Sequence, residues 1–279
     1  MKPDKLRIGN QTSFTAGSFL DPFEFAVASG FNAFEFFPDR GPAGAGGWDE
    51  REVDASTRQA IRQKAADHDI VLSVHAPLEY DPLLDRDSNR LYTTVEFAAG
   101  IGAVLVNFHL DTSQGLEEFV EALGPALRAT AEAGLQLTLE NTVITGPNDF
   151  NRFFAALNLA PKQAVSHAGM CFDLGHANLC AATRNDYLAF LDQLSGQVPV
   201  RHLHLHENYG DRDSHLPLFT GPAGQNHAGI SGLLARLAQR GFEGCAILEQ
   251  WPQPASLLVN ARNQLLKLMD ARAARHESG

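Results

Sequence analysis

The sequence contains little cysteine, with three residues in a chain of 279. Cys171, Cys180 and Cys245 are odd in number and widely spaced, which argues against a disulfide framework. Cys171 and Cys245 fall inside apolar runs, so we expect both to be small buried core residues. A disulfide-stabilised secreted domain is therefore not expected, and the cysteine usage favours the reducing cytoplasm.

Long apolar runs are also missing from the sequence. No stretch reaches 18 apolar residues, so no membrane span is expected. Residues 1–7 lack the apolar segment of a secretion signal. Because 44% of the residues are apolar, the chain can still build a large core. The length predicts one α/β-barrel domain over residues 1–279, with a frayed tail over 271–279.

Basic residues are scarce, since 22 Lys and Arg stand against 33 Asp and Glu, for a formal net charge of −11. Broad, non-specific binding of nucleic acid depends on Lys and Arg that neutralise phosphates, and this balance disfavours it. A basic groove on an acidic protein, or bound divalent metals that add local positive charge, would keep nucleic acid open as a partner.

Short apolar runs that end in a metal-binding residue are the strongest pattern present. A run of this length bounded by turn residues predicts a buried strand. Eight predicted strands alternate with helical segments. This order predicts a single (β/α)8 TIM barrel whose strand ends meet at one mouth. The ligand-type residues at the ends of the third to eighth strands are His75, His109, Glu140, Asp173, His204 and Glu249.

The helical segments between these runs have recognisable boundaries. Gly134 and Gly241 follow two of them, as C-capping glycines do. Two long loops, 41–47 and 208–226, follow strand ends, so we expect both to lie over the mouth, where loops shape substrate specificity. The predicted helices cover residues 22–29, 56–67, 88–99, 116–133, 148–157, 185–194, 230–240 and 255–275.

Polar side chains are predicted inside the barrel. Side chains alternate direction along a strand, so His202, His204 and His206 share one face, and Thr138 and Glu140 share a face on their own strand. Polar groups inside a barrel are costly unless they hydrogen-bond or bind something. A metal cluster at the uppermost layer would satisfy them.

Two further imidazole–carboxylate pairs, Asp173 with His176 and Asp213 with His215, add ligands beyond the strand ends. Each residue also has an ordinary structural interpretation. Asp173 could only cap a helix, Asp213 could be a solvated loop charge, and the strand-end glutamates could pair with arginines. The coincidence of ligand types at six successive strand ends favours the metal site.

Taken in order along nearly the whole chain, the motifs resemble the xylose-isomerase-like TIM barrels. This superfamily includes sugar-phosphate isomerases and epimerases and the endonuclease IV branch. The matching motifs are Ser73-Val74-His75-Ala76-Pro77, Asn107-Phe108-His109, Leu139-Glu140-Asn141-Thr142, Phe172-Asp173-Leu174-Gly175-His176-Ala177-Asn178, His204-Leu205-His206-Glu207-Asn208, Asp213-Ser214-His215 and Leu248-Glu249.

The resemblance implies two kinds of site built on shared positions. In the isomerases and epimerases, one divalent ion is held by residues matching Glu140, Asp173, His204 and Glu249, and His176 matches a substrate-binding histidine. In the endonuclease branch, three zinc ions use those four positions together with ones matching His75, His109, His176, Asp213 and His215. All nine positions carry a ligand here, and the five histidines among them favour Zn²⁺ or Mn²⁺, in one to three ions.

Several features separate this chain from the endonuclease branch. Residues 219–224 replace a Gly-Glu-Gly segment, Leu78 stands where an aromatic commonly follows His-Ala-Pro, and the 41–47 loop carries no basic residue. Glu35 ends the second strand, as a carboxylate does in sugar-handling members, although a barrel-interior ion pair is the alternative. Trp48 could cover a bound sugar or could simply pack.

The sequence therefore favours a divalent-metal-dependent isomerase or epimerase of a sugar, sugar phosphate or similar polyol. By the resemblance, Glu140 and Glu249 would exchange a proton with the substrate through an enediolate. The expected partner is a small carbohydrate-like molecule, and the formation of homo-oligomers is left open. The candidate substrate contacts are His176, His206, Glu35 and Trp48.

A multi-zinc hydrolase of the endonuclease IV type, which cleaves phosphodiesters, is the alternative. Glu140 would then bridge two ions, and His75 and His109 would be explained, since an isomerase with one ion does not need them. A binding protein that has lost activity is the third hypothesis, but no ligand of the set is missing.

Overall fold

A computed structural model describes residues 6–13, 15–40, 47–158 and 166–277. Eight parallel strands close into a barrel in chain order, and the last strand pairs with the first. The predicted (β/α)8 barrel is confirmed. The strands are β1 Arg7–Gln11, β2 Ala33–Phe36, β3 Val71–His75, β4 Leu105–His109, β5 Gln136–Glu140, β6 Ala168–Asp173, β7 Val200–Leu205 and β8 Cys245–Leu248.

Helices follow the strands and form the outer layer. Their ends carry the expected signals: Asp54 accepts a hydrogen bond from the Thr57 N–H at the start of one helix, and Gly134 adopts φ +71° after the end of another. The helices are α1 Asp21–Ala28, α2 Ala55–Asp67, α3 Asn89–Ile101, α4 Leu116–Ala122, α5 Gly124–Glu132, α6 Pro147–Asn158, α7 Leu174–Leu179, α8 Tyr187–Gln193, α9 Pro222–Gln225, α10 Ala228–Gln239 and α11 Ser256–Glu277.

Three details differ from the sequence prediction. The single helix predicted over 116–133 is wrong, because the chain forms two helices separated at Leu123. Pro125 lacks the N–H that would continue the helical ladder, and this breaks the segment. The short helices α7 and α9 were not predicted. The final helix, predicted to end at residue 275, continues to Glu277. Residues 41–46 of the predicted mouth loop lie outside the described residues.

The hydrophobic core lies mainly between the strands and the helices. Outward-facing strand residues such as Phe34, Val74, Leu139 and Leu203 belong to one large buried cluster. Burying each such side chain stabilises the folded protein by about 1.5–3 kcal/mol. In the part of the chain that the structure describes, no helix is long and apolar enough to cross a bilayer.

Inside the barrel, polarity increases towards the carboxyl ends of the strands. A small apolar cluster separate from the main core contains Ala33, Cys245 and Ile247. Two residues further along β2, Glu35 is completely buried, and His202 on β7 is equally buried. The apolar layer therefore closes the bottom of the barrel beneath a polar upper half.

Strands β1 and β2 approach each other closely at Gly9, where only glycine fits. A Cβ on Gly9 would lie 2.2 Å from the backbone oxygen of Ala33. We expect Gly9→Ala to lower the free energy of unfolding by about 1–3 kcal/mol, because the backbone of a paired strand cannot move aside. Urea unfolding followed by circular dichroism measures the change.

Gly196→Ala is the matched control. A Cβ there would meet no heavy atom within 4 Å. Its effect is expected to stay within about 0.5 kcal/mol. Equal stabilities for the two variants would contradict the close approach of β1 and β2.

Candidate metal centre

The strand ends place a group of ligands at the mouth of the barrel. Glu140 and Asp173 end β5 and β6, His204 lies in β7, and Glu249 directly follows β8. Glu140, Asp173 and His204 have no exposed surface, and Glu249 is 7% exposed. One ligand atom from each of the four lies within 4.8 Å of the others, so together they could hold one ion. We call these four residues the central group.

Glu140 connects the central group to a second group with His75 and His109. His75 Nε2 lies 3.3 Å from Glu140 Oε2, and His109 Nε2 lies 3.8 Å from the same oxygen. Because these two histidines end β3 and β4, the second group continues around the mouth from the central one. A carboxylate shared between two groups is the arrangement expected of a ligand that bridges two ions.

A third group combines His176 from α7 with Asp213 and His215 from the loop after β7. Asp213 Oδ2 lies 3.2 Å from His176 Nε2 and 3.1 Å from His215 Nε2. The buried His206 belongs to the same group. His215 adopts φ +43°, a left-handed conformation that is unfavourable for a side chain of this size and is found mainly at functional sites. The structure thus brings all nine predicted ligand positions together.

Neighbouring polar residues hold the carboxylates in place. Asn107 donates a hydrogen bond of 2.6 Å to Glu140 Oε2, and Thr138 in turn donates to Asn107 at 2.8 Å. The backbone N–H of His176 donates to Asp173 Oδ1, so Asp173 does cap helix α7. Its second oxygen, Oδ2, remains directed at the site. Capping and ligation are therefore compatible roles for this residue.

The local charges perturb the protonation of the ligands. Burial acts to raise the pKa of Glu140, but the charge of His204 and of other histidines outweighs it and holds that pKa well below its usual range. Burial dominates at Glu249 and raises its pKa. Burial lowers the pKa of His215, but its hydrogen bond with Asp213 and the charge of Glu249 raise that pKa to about 9.

The protein alone leaves several polar atoms of the centre unsatisfied. A buried polar group without a hydrogen-bond partner is costly, and a bound cation would satisfy such groups with the correct sign of charge. The partners of both glutamates are histidines rather than arginines. The residues therefore fit a divalent ion. The atoms that make no hydrogen bond of normal geometry are Glu140 Oε1, Asp173 Oδ2, Glu249 Oε2 and both ring nitrogens of His204 and of His206, and several of them contact an oppositely charged group at 2.7–3.2 Å instead.

Two predicted substrate contacts lie away from the mouth. Glu35 has no exposed surface and sits 2.8 Å from His202 Nε2 and 2.7 Å from His204 Nε2, beneath the central group. This position favours the interior ion-pair alternative. Trp48 is 5% exposed and stacks on Phe19 at 4.6 Å between ring centroids, which favours simple packing.

Two adjoining cavities open at the mouth beside the ligand groups. The larger has a volume of about 470 Å³ and contacts Glu249 and His215, and the smaller has about 190 Å³ and contacts His75 and His109. Among the described residues that line them, none is Lys or Arg. The larger cavity is lined by Gln11, Thr12, Ser13, Phe37, Asp39, Leu78, His215, Pro217, Glu249, Gln250, Trp251 and Pro252.

Most of this lining was missed by the sequence reasoning, which concentrated on metal ligands. Gln11 ends β1, and Gln250 and Trp251 follow β8, so the same strand-end rule would have identified them. The sequence reasoning also missed a polar group inside the barrel. Cys171 forms a buried group with His202 and His204, and burial raises the pKa of its thiol well above the usual range. Cys171 is buried as predicted, but among imidazoles rather than apolar side chains.

With this geometry, the chain belongs to the xylose isomerase-like TIM barrel family, whose model matches residues 23–269. The resemblance inferred from the motifs is confirmed. A solved structure described as a D-tagatose 3-epimerase-like protein has the same fold, with a TM-score of 0.71 and 17% identity, and the alignment covers 96% of this chain and 99% of that one.

Two curated relatives match at the level of sequence. The probable endonuclease 4 of Aquifex aeolicus is 24% identical over 245 residues, which cover 78% of this chain and 82% of that protein. An uncharacterized protein of Methanocaldococcus jannaschii is 25% identical over 146 residues, which cover 49% of this chain and only 44% of that relative's length. The neighbours whose names state an activity therefore belong to two reaction classes, an epimerase-like one and an endonuclease one.

We expect zinc binding to the metal-free protein at about pH 7.5 to release protons, because a ligating imidazole must be neutral. The pKa of His215 is about 9, and nearby acidic groups hold the pKa of His204 well above its usual value despite burial. The His215 ring therefore carries a proton at pH 7.5 before the metal arrives. Calorimetry in buffers of different ionisation enthalpy counts the protons released.

His215→Gln should reduce this count by about one proton. Proton release should also diminish as the pH rises through about 9, because the ring is then already neutral. Zinc binding with no proton release at neutral pH would contradict the raised pKa values.

Proposed function

We propose that the protein is a divalent-metal-dependent isomerase or epimerase of a carbohydrate-like substrate. One observation carries the proposal: the buried central group, whose residues can hold one ion, opens through Glu249 onto a cavity of about 470 Å³ in which no Lys or Arg is found among the described lining residues. The family and the neighbour described as D-tagatose 3-epimerase-like support it by analogy.

The two glutamates are the proposed proton carriers. Glu140 and Glu249 approach the same atom, His204 Nδ1, at 3.0 and 3.4 Å, so their carboxylates stand close together at the mouth. One carboxylate would remove the proton from a carbon next to the substrate carbonyl, and the electron pair would move to the carbonyl oxygen to form an enediolate. The other glutamate, protonated at the outset, would give its proton to the opposite face of the carbon and become the carboxylate, as the first becomes the acid. A bound divalent ion would supply Lewis acidity at the carbonyl oxygen.

The composition of the cavity favours an uncharged substrate over a phosphorylated one. Arg and Lys are the usual side chains for phosphate recognition, and neither is found among the described residues that line the cavity. The lining instead offers the amides of Gln11 and Gln250, the hydroxyl of Thr12 and the ring of Trp251. Amides and hydroxyls bind sugar hydroxyl groups, and an aromatic ring covers their C–H faces. A neutral polyol fits this lining best.

A multi-zinc hydrolase is the second candidate, and the second ligand group is the specific observation that favours it. His75 Nε2 and His109 Nε2 lie 3.3 and 3.8 Å from Glu140 Oε2. A one-ion isomerase does not need these two histidines. The match to the probable endonuclease 4 of Aquifex aeolicus supports the same candidate. The formal net charge of −11 opposes a polyanionic substrate.

Glu140→Gln is expected to reduce turnover by about 100- to 10,000-fold, because an amide cannot accept the substrate proton. The assay incubates metal-loaded protein with free ketoses in D₂O and follows epimer formation and deuterium incorporation at carbon by NMR. Wild-type protein should incorporate deuterium at the epimerised carbon. Glu96→Gln, a substitution of an exposed glutamate far from the mouth, is the control and should leave turnover unchanged.

If Glu140→Gln kept the full turnover of the wild-type protein, both candidate functions would be rejected. Cleavage of abasic DNA or of a simple phosphodiester, with no exchange on any sugar, would replace the isomerase with the hydrolase.

His109→Ala separates the two candidates. A one-ion isomerase should lose at most about tenfold in activity, whereas a multi-zinc hydrolase should lose more than about 100-fold along with bound zinc. Elemental analysis of the purified protein gives the ions per chain beside the activity. His68→Ala, which removes an exposed histidine at the end of α2, is the matched control. Loss of metal together with collapse of sugar turnover would contradict the one-ion interpretation.

A further inference from the structure

We propose that Glu35 is a positioning residue that acts through His204, holding the imidazole ring of this ligand with its Nδ1 directed at the central group. The inference rests on the proposed metal centre and goes beyond it, since the sequence predicted a substrate contact for Glu35. A substrate contact requires an accessible carboxylate, and Glu35 has no exposed surface. The carboxylate therefore acts on neighbouring groups of the protein.

The first observation is that residues on two other strands fix Glu35. Ser73 on β3 donates a hydrogen bond of 2.8 Å to Glu35 Oε2, and His202 Nε2 on β7 is hydrogen-bonded to the same oxygen at 2.8 Å. Ser73 is 1% exposed and His202 has no exposed surface, so water does not compete for these contacts. The carboxylate is thereby held in one place inside the barrel, and its other oxygen, Oε1, is left for a third partner.

The third partner of Glu35 is His204. The Nε2 atom of His204 lies 2.7 Å from Glu35 Oε1, and both side chains are completely buried. The two atoms are in contact at this distance, although their alignment departs from that of a normal hydrogen bond. A carboxylate oxygen accepts and cannot donate, so its contact with Nε2 favours the form of the ring that carries a hydrogen on Nε2.

The opposite edge of the His204 ring faces the central group. Its Nδ1 lies 3.0 Å from Glu140 Oε2 and 3.4 Å from Glu249 Oε1. A ligating nitrogen must offer a lone pair, so a ring whose hydrogen stays on Nε2 has Nδ1 free to bind an ion. A metal-bound histidine commonly directs its second nitrogen at a carboxylate, which orients the ring and increases its basicity. Glu35 provides that carboxylate for His204.

A neutral side chain at position 35 could not do the same. The amide of glutamine carries no charge, so it would not increase the basicity of the His204 ring. Its NH₂ group, if turned towards His204, would donate to Nε2 and favour the hydrogen on Nδ1, where it blocks the lone pair needed for metal. Leucine would leave Nε2 with no acceptor at all. Both substitutions should therefore weaken metal binding without touching a ligand.

The first test measures zinc affinity, by competition with a chelator, for wild-type protein and for Glu35→Gln and Glu35→Leu. In both variants one ion per chain should bind about 10- to 100-fold more weakly than in wild type. Glu50→Gln is the matched control, because Glu50 is also completely buried but contacts Arg90 and Thr94 instead of the ligand groups. The control should retain the wild-type zinc affinity, although loss of these contacts should lower its stability.

NMR of the wild-type protein gives a second measurement that does not depend on the folding of a variant. With ¹⁵N-labelled histidine and bound zinc, the chemical shifts of the two ring nitrogens of His204 show which nitrogen carries hydrogen and which carries metal. We expect the hydrogen on Nε2, facing Glu35, and zinc on Nδ1. The Nε2 signal should change in Glu35→Gln and stay unchanged in Glu50→Gln.

Three results would overturn the role of Glu35. They are wild-type zinc affinity in both Glu35 variants, an equal loss of affinity in Glu50→Gln, and zinc on Nε2 of His204 with the hydrogen on Nδ1. Zinc that leaves the ring signals of His204 unchanged in the wild-type protein would overturn the proposed function, and this inference with it. The two failures are therefore distinguishable.

Discussion

Buried negative charge is the constraint on which the rest of the site depends. Glu140, Asp173 and Glu249 lie at neighbouring strand ends with almost no exposed surface. Three carboxylates this close repel one another unless positive charge is placed among them. Nearby histidines with raised pKa values, such as His215, answer this requirement in the protein alone, and a divalent ion would answer it more effectively. The histidines at the mouth, the raised pKa of Glu249 and the oxygens without a normal hydrogen bond all follow from this requirement.

The barrel accommodates the buried charge by placing an apolar layer at the bottom and a polar layer above it. An apolar cluster around Ala33 and Ile247 closes the bottom, so water does not enter from below. Above it, Glu35 contacts His202 and His204 and carries the polar network from the interior to the mouth. The hydrogen bonds from Asn107 to Glu140 and from Thr138 to Asn107 orient the carboxylate, as a preorganised site requires.

Two reaction classes occur on this fold, and the ligand set does not choose between them. Epimerase-like and endonuclease-like relatives both match this chain, and fold alone is weak support for a reaction. The difference lies in the mouth, where the described cavity walls carry amides, hydroxyls and aromatic rings such as Trp251 but no Lys or Arg. Lys and Arg are the side chains that bind a phosphate backbone, so the walls support the proposed neutral substrate.

The sequence by itself determined the strands, the barrel and the ligand positions, because strand alternation and strand-end residues such as Glu140 are local signals. The sequence did not determine how deeply each side chain is buried. Glu35 and Trp48 had two interpretations each. Only the packing showed that Glu35 lies beneath the central group and that Trp48 lies in an aromatic cluster. The large cavity exists because β8 pairs with β1, which brings Trp251 beside Thr12. Barrel closure joins residues from the two ends of the chain, and no local pattern records that contact.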